Sequence, residues 1–213
     1  AFYADRGRIH VGDLGSCADQ AYAAWAADRA EDLDSVLIAP TRDLVSELNT
    51  RARNDRLAGQ SEQEVGRVLT LADGTKVSKG DRIITRENNR LLPITHTDWV
   101  KNGDRWQVEA VRADGSLSVR HLASRLHATL PAEYVAAHVE LGYASTVHTA
   151  QGITTDVVHG IVTGAEDRQL IYTMLTRGRV ENHAHLVFGH EEAHALPGPA
   201  DDRALTATEV LEG

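Results

Sequence analysis

Residues 142–152 read GYASTVHTAQG, and residues 172–179 read YTMLTRGR. Apolar runs typical of short buried strands surround these two segments, at 139–144, 157–162 and 184–188. A helix is predicted at 167–176, between the last two of these runs. Strands that alternate with helices are typical of an α/β domain with a parallel sheet. The two segments and their surroundings therefore predict the fold class.

The same pattern occurs near the start of the chain. Residues 12–30 open with polar residues and continue as an alanine-rich helix, and residues 35–39 (SVLIA) form a buried strand before Pro40. Thr41 can cap a second helix that runs to about Leu57, because apolar residues recur there at helical spacing. The start of the chain thus adds a helix, a strand and a helix to the α/β domain.

The middle of the chain has a different pattern, with short strands and frequent turns. The turns carry the Asp-Gly and related pairs typical of β-hairpins, at 73–74, 79–81, 102–104 and 113–115. About five short strands joined in this way predict a small barrel of SH3-like size. The predicted architecture is a discontinuous α/β domain, residues 1–64 and 136–192, interrupted by a barrel at 65–135. Residues 193–213 are predicted to be an acidic, flexible tail.

Composition limits the classes of function. The formal net charge of −9 argues against a simple nucleic-acid coating protein. Arginines nevertheless cluster in the predicted second helix, at positions 42, 51, 53 and 56, so the net charge does not exclude a local basic surface. The lone Cys17, with no 18-residue apolar run and no secretory signal, predicts a cytoplasmic protein that has no contact with a membrane.

The 213 residues contain no G-x-x-x-x-G-K-[ST] segment, the phosphate loop that cradles the α- and β-phosphates of a nucleotide. We therefore expect this chain to bind neither ATP nor Mg²⁺ alone, and to be inactive alone as an ATP hydrolase. Any nucleotide chemistry requires another segment of protein.

The two quoted segments resemble motifs V and VI of superfamily 1 helicases, in particular the RecD-like branch that includes the helicase halves of conjugative relaxases. Residues 39–42 (APTR) resemble motif IV, and the hairpins at 80–86 and 102–106 resemble the SH3-like insertion of that branch. The resemblance covers most of the chain. It implies the C-terminal (2A/2B) motor domain, in which a RecA-like parallel sheet of the P-loop NTPase type carries an inserted SH3-like β-barrel.

The resemblance implies a catalytic role for Arg177, which would reach the γ-phosphate of ATP held by the other motor domain. Such an arginine finger stabilises the negative charge that builds up on the transferring phosphoryl group. The alternative is an arginine that interacts with the dipole at the end of a helix, worth a few tenths of a kcal/mol. Arg179 is either a second phosphate contact or the partner of an ion pair.

The resemblance also implies roles for residues of motifs IV and V. Arg42 would contact the nucleotide, and Gln151 and Gly152 would link the DNA and ATP sites. Thr146 and His148 would contact the backbone of single-stranded DNA, which positions the strand without reading its sequence. The alternatives are a helix cap with a solvated arginine at 41–42, and a helix N-terminal cap by Ser145 or Thr146 with an ordinary turn glycine at 152. Residues 146–151 are predicted to form a turn that enters a helix.

Two further groups of residues have competing interpretations. Trp99 could stack on a base, whereas Trp106 alternates with Val108 in a strand and is predicted to be barrel core. Histidines 183, 185, 190 and 194 invite a metal interpretation. We predict no metal site, because zinc sites usually combine histidine with cysteine or a fixed acid in a tighter geometry.

The resemblance implies the C-terminal motor domain of an ATP-dependent DNA helicase or translocase that acts in conjugative DNA transfer. The expected partners are single-stranded DNA and the N-terminal helicase domain of the same full-length protein, which would hold ATP and Mg²⁺ jointly with this chain. One alternative is a non-catalytic module, derived from a helicase domain, that binds nucleic acid or protein. Another is a regulatory cover, formed by the tail and the barrel, on a larger relaxase.

Overall fold

The computed structural model describes residues 7–188, in two compact units. The first unit contains the described residues up to Arg42, then Thr146–His148 and the residues from Thr155 onward. The second unit contains Asp43–Ser145 and Thr149–Thr154. The predicted tail at 193–213 lies outside the described residues, as do His190 and His194.

Residues 7–188 form five helices and fourteen strands. The helices are α1 (Leu14–Ala30), α2 (Arg42–Leu57), α3 (Glu62–Val65), α4 (Ala132–His138) and α5 (Arg168–Met174). The strands are β1 (Ile9–Gly12), β2 (Ser35–Ala39), β3 (Leu69–Thr70), β4 (Lys76–Val77), β5 (Arg82–Thr85), β6 (Asn89–Pro93), β7 (Trp99–Val100), β8 (Arg105–Val111), β9 (Leu117–His121), β10 (His127–Leu130), β11 (Val139–Leu141), β12 (Ala144–Thr146), β13 (Thr155–Val162) and β14 (Gly178–Val187).

A parallel sheet forms the centre of the first unit. Its strands lie in the order β1-β14-β13-β2 and pair in parallel throughout. All five residues of β2 are buried, as expected of a strand covered on both faces. The predicted α/β class with a parallel sheet is confirmed, and β1 is a strand that the sequence did not predict.

Helices cover the two faces of this sheet. Neighbouring residues of a strand point to opposite faces, so His159 and Gly160 of β13 identify what lies on each side. The His159 ring contacts Asp28 of α1, with Nε2 and Oδ2 2.7 Å apart. A Cβ atom at Gly160 would lie 2.2 Å from the sulfur of Met174 in α5. Helix α1 therefore packs on one face and α5 on the other.

An antiparallel sheet forms most of the second unit. Its strands lie in the order β10-β9-β8-β5-β11, and the pairs β3–β4 and β6–β7 form separate hairpins. Trp106 is fully buried in the core between these strands, as the sequence predicts. The short strands and tight turns agree with the predicted SH3-like barrel.

A buried carboxylate holds α2 in the second unit. Asp81 is 0 % exposed and accepts hydrogen bonds from Arg53 Nε at 3.2 Å, Arg56 Nε at 2.8 Å and the Tyr143 hydroxyl at 2.7 Å. Burial, followed by the neighbouring charge of Asp81, raises the pKa of Tyr143. Two of the four arginines that suggested a basic surface are therefore neutralised by one internal acid.

The described residues include no helix that is long and apolar enough to cross a membrane.

Candidate phosphate and nucleic-acid contacts

Arg177 lies between the end of α5 and the start of β14, and its side chain is partly exposed. The guanidinium folds back on the helix end, where Nε donates to the Thr173 carbonyl at 2.8 Å and Nη2 donates to the Thr176 hydroxyl at 3.0 Å. No ion pair joins Arg177 to a carboxylate within residues 7–188. The helix-end contact that the alternative interpretation requires is thus present, and it leaves most of the five N–H donors available.

Arg179, two residues further on, forms an ion pair. Its Nη2 lies 2.6 Å from Oδ1 of Asp156 in β13, and the arginine side chain is 58 % exposed. Oδ2 of Asp156 accepts a hydrogen bond from the Asp34 amide at 3.0 Å. Exposed ion pairs contribute about 0–1 kcal/mol, so this pair holds Arg179 only weakly.

The two ends of the parallel sheet carry different predicted residues. Arg177 and Arg179 lie at the amino end of β14, beside Thr155 at the amino end of β13. Arg42 follows the carboxyl end of β2 and is exposed. Because five strand residues rise about 3.3 Å each, roughly 15 Å separates the backbone of Arg42 from that of Arg177 along the strands. The structure does not bring these arginines together.

The segment after β12 consists of turns, not of the predicted entry into a helix. Thr146 ends β12 and is partly exposed, and His148 is exposed in the turn that follows. Gln151 and Gly152 are exposed in the second unit. Gly152 has φ +96° with open space around a Cβ position, so it is needed for its backbone conformation and not for close packing. The exposed backbone here remains accessible.

Asn49 of α2 fixes the start of this segment within the second unit. Its Oδ1 accepts from the amides of Tyr143 at 3.0 Å and Ala144 at 2.9 Å, and its Nδ2 donates to the Ala144 carbonyl at 3.2 Å. Asn49 is buried, so these hydrogen bonds are shielded from water. Helix α2 thereby holds the start of strand β12.

Trp99 is partly exposed on the β6–β7 hairpin of the barrel. Cζ of Arg90 lies 5.0 Å from the centre of its ring, and Nζ of Lys101 lies 5.8 Å away. Lys101 also pairs with Asp98 at 2.6 Å, whereas Arg90 is exposed and forms no ion pair within the described part of the chain. An indole beside a cation offers a base-stacking surface and a phosphate contact together. Sequence reasoning identified Trp99 and placed Arg90 in an arginine-rich segment, but it did not pair the two.

Four histidine rings form a stack between α1 and the parallel sheet. His10 of β1 lies 4.6 Å from His185 of β14, and His159 of β13 lies 5.0 Å from His183 of β14, measured between ring centres. Nδ1 of His183 and Nδ1 of His185 are buried without a hydrogen-bond partner among residues 7–188. We refer to these four residues as the histidine cluster.

Acidic side chains flank the histidine cluster. Asp28 lies 2.7 Å from Nε2 of His159, and Glu181 lies 2.9 Å from Nε2 of His183. Burial, with repulsion from the neighbouring rings, lowers the pKa of His185 to about 3 and also lowers the pKa of His10. Within residues 7–188, no group of three or more His, Cys, Asp or Glu side chains could hold a metal ion.

Two family models match adjacent parts of the chain. Residues 69–140 match the Rv2311 SH3-like barrel domain, and residues 141–181 match the UvrD-like helicase C-terminal domain. The second match contains both segments from which the fold was predicted. The first corresponds to the predicted barrel.

Curated relatives match the chain over part of their length. The uncharacterized protein Rv2311 of Mycobacterium tuberculosis is 35 % identical over 104 residues, which cover 48 % of this chain and 57 % of the relative. The conjugal transfer protein TraA of Agrobacterium fabrum is 31 % identical over 159 residues, 74 % of this chain and 14 % of TraA. The chain thus spans just over half of the first relative and about a seventh of the second.

A solved helicase structure shares the fold. Pif1 helicase from Bacteroides, crystallised with ADP-AlF3 and single-stranded DNA, superposes with a TM-score of 0.50 and 17 % identity, over 72 % of this chain and 40 % of Pif1. The UvrD-like family model and the TraA relative support the superfamily 1 helicase C-terminal domain that the motifs predict, and Pif1 supports its fold. Assignment to the RecD-like branch stays a prediction.

Proposed function

We propose that this chain is the C-terminal motor domain of an ATP-dependent DNA helicase or translocase of the RecD-like branch, acting in conjugative DNA transfer. It would supply the arginine finger, Arg177, and part of the grip on single-stranded DNA. The observation that carries the proposal is the state of Arg177, which lies at a helix end, partly exposed, with no carboxylate partner in residues 7–188.

The contacts of Arg177 allow it to change partners. The charged guanidinium donates to two neutral acceptors, the Thr173 carbonyl and the Thr176 hydroxyl, and each such hydrogen bond contributes at most about 1.5–3 kcal/mol. A phosphate can replace both acceptors. An arginine in a buried ion pair would instead lose about 3–5 kcal/mol on separation from its partner. Arg177 is therefore held in place and remains available to a phosphate group.

ATP and Mg²⁺ would be held by an N-terminal motor domain, because this chain has no phosphate loop. Bound Mg²⁺ would supply positive charge that offsets part of the negative charge of the phosphates. From the opposite side of the cleft, Arg177 would donate N–H groups to the oxygens on which negative charge develops. Closing and reopening of that cleft would alternate the strand contacts of the two motor domains, by a hinge-closure cycle.

Single-stranded DNA would contact the exposed polar groups after β12 and the barrel hairpin. Thr146 and His148 would position phosphates, and Gln151 and Gly152 would connect this grip to the nucleotide. Trp99 with Arg90 would stack on a base and pair with a phosphate. The fold shared with Pif1, which was solved with single-stranded DNA, supports this proposal.

The test is steady-state ATP hydrolysis by the full-length protein in the presence of single-stranded DNA. We expect Arg177→Ala to lower kcat by about 10³-fold or more, as is typical of a lost arginine finger, with little change in DNA affinity without nucleotide. Arg177→Lys should remain impaired, because an ammonium lacks the planar set of donors. Arg67→Ala, at an exposed arginine in the second unit, is the matched control. Unchanged hydrolysis by Arg177→Ala would refute the proposal.

A non-catalytic binding module is the second candidate function. The observation that favours it is Leu91, which is 88 % exposed on the same barrel hairpin as Trp99 and offers an apolar contact to a protein. This candidate predicts that the full-length protein binds a partner but hydrolyses no ATP, with or without DNA. The same hydrolysis assay distinguishes the two candidates.

A further inference from the structure

Gly178 follows Arg177 and is the first residue of β14, and the side chain of Asn182 in the same strand holds it in place. Oδ1 of Asn182 accepts from the Gly178 amide at 2.8 Å, and Nδ2 of Asn182 donates to the Gly178 carbonyl at 3.0 Å. Asn182 is 8 % exposed, so water competes little for either hydrogen bond. One amide side chain thus satisfies both polar groups of one backbone residue.

Gly178 is required by this arrangement. A Cβ atom there would lie 2.1 Å from the carbonyl oxygen of Glu181 and 2.8 Å from Oδ1 of Asn182. Any side chain at position 178 would displace the backbone or break the pairing with Asn182. The turn between Arg177 and β14 is therefore defined by Gly178 and Asn182 together.

The pairing lies across an irregularity in the sheet. Thr155 of β13 is opposite Gly178, but Val157 is opposite Glu181, so β14 carries an extra residue at this point. Such bulges redirect side chains and often lie beside functional sites. Arg177 itself contacts the neighbouring strand β13, because its carbonyl accepts a hydrogen bond from the Thr155 amide at 3.1 Å. The backbone of Arg177 is thus fixed by β13 on one side and by Asn182 through Gly178 on the other.

We propose that Asn182 is a positioning residue for Arg177, because it fixes the turn that sets the direction of the arginine side chain. The inference rests on the proposed role of Arg177 as the arginine finger. Asn182 itself touches neither nucleotide nor DNA in this proposal. Its effect on catalysis passes through Gly178 and the backbone of Arg177.

The experiment measures ATP hydrolysis by the full-length protein stimulated by single-stranded DNA. A displacement of about 1 Å at a catalytic group lowers rates by about 10²-fold. We therefore expect Asn182→Ala to lower kcat by about 10- to 100-fold, with KM for ATP and the Kd for DNA unchanged. Asn182→Asp keeps the acceptor for the Gly178 amide but places a charged oxygen against the Gly178 carbonyl, so its loss should be at least as large. Asn54→Ala, at an exposed asparagine of α2, is the control.

A double-mutant cycle separates positioning from general damage. If Asn182 acts through Arg177, then Asn182→Ala should lower kcat no further in an Arg177→Ala background. Gly178→Ala should show the same lack of additivity, and it provides a second route if Asn182→Ala fails to fold. Thermal denaturation checks folding of every variant.

The outcomes distinguish this inference from the proposed function. If Arg177→Ala hydrolyses ATP normally, the proposed function fails. If Arg177→Ala is impaired but the folded Asn182 variants are normal, or their losses multiply with that of Arg177→Ala, the proposed function stands and the positioning role of Asn182 is refuted.

Discussion

Acidification should destabilise the first unit through the histidine cluster, with His185 as the largest single contributor. The side chain of His185 is buried against His10, His159 and His183, and its pKa falls from 6.5 to about 3 in the folded protein. Below pH 6.5 the unfolded chain therefore binds a proton at position 185 that the folded chain does not bind. The contribution of His185 to the free energy of unfolding is therefore fully present above pH 6.5, and it is lost as the pH falls toward 3.

The size of this effect follows from the proton balance. One proton bound only by the unfolded state lowers the free energy of unfolding by about 1.4 kcal/mol per pH unit. Between pH 6.5 and pH 5, His185 alone accounts for a loss of about 2 kcal/mol. The lowered pKa of His10 acts in the same direction. A hydrogen bond from His183 lowers the pKa of Glu181, which adds a further loss only at more acidic pH.

The variant His185→Leu tests this reasoning, because leucine has a similar volume and no titratable group. It also removes the unpartnered Nδ1 atom, so we expect little loss of stability at pH 7. Hydrogen exchange of the β13 and β14 amides, measured at pH 7 and pH 5, reports on the first unit. After correction for intrinsic exchange, the wild type should lose about 2 kcal/mol more than the variant between these pH values. His96→Leu, at an exposed histidine, is the control and should behave as the wild type. Equal losses of stability in the wild type and His185→Leu would refute the reasoning.

Two other perturbations concern the second unit. Asp81→Asn should destabilise the second unit by about 3–5 kcal/mol, because Arg53 and Arg56 would lose their buried counter-charge. Thermal denaturation followed by circular dichroism measures this loss. A change in melting temperature as small as that of Asp73→Asn would contradict the prediction. Trp99→Ala should weaken binding of oligo-dT by about 1–3 kcal/mol, measured by fluorescence anisotropy, whereas Trp99→Phe should retain most of the affinity. Equal affinities of the wild type and both variants would exclude stacking.

The sequence predicted the elements that carry their own local signal. The apolar run at 35–39 matches β2, and the helical spacing after Thr41 matches α2 closely. The strand predicted at 184–188 is in fact β14 (Gly178–Val187), because polar residues at its start conceal strand character that depends on pairing with β13. Strand β1 has only four residues of mixed polarity, and pairing with β14 makes it a strand.

The predicted helix entry at 146–151 was wrong for a related physical reason. Thr146 ends a strand, and Gly152 adopts a positive φ that a continuing helix would not tolerate. Hydroxyl and small residues favour caps and turns equally, so composition could not decide between them. The contacts of Asp81 with Arg53, Arg56 and Tyr143 were also unpredictable, because these partners lie 25 to 62 residues away in the chain. For Asn182 a weak signal existed, since asparagine is depleted in strands.

Strand β14 follows Arg177 directly and carries two members of the histidine cluster, yet its two faces keep these two features separate. His183 and His185 face α1, whereas Asn182 lies on the opposite face with Ala184, toward α5. Protonation of the cluster therefore acts on the packing of α1, and the pairing of Asn182 with Gly178 acts on the turn that carries Arg177. Because these contacts share no side chain, their free-energy effects should add. The variant His185→Leu should therefore lose acid sensitivity and keep its kcat, whereas Asn182→Ala should keep acid sensitivity and lose kcat.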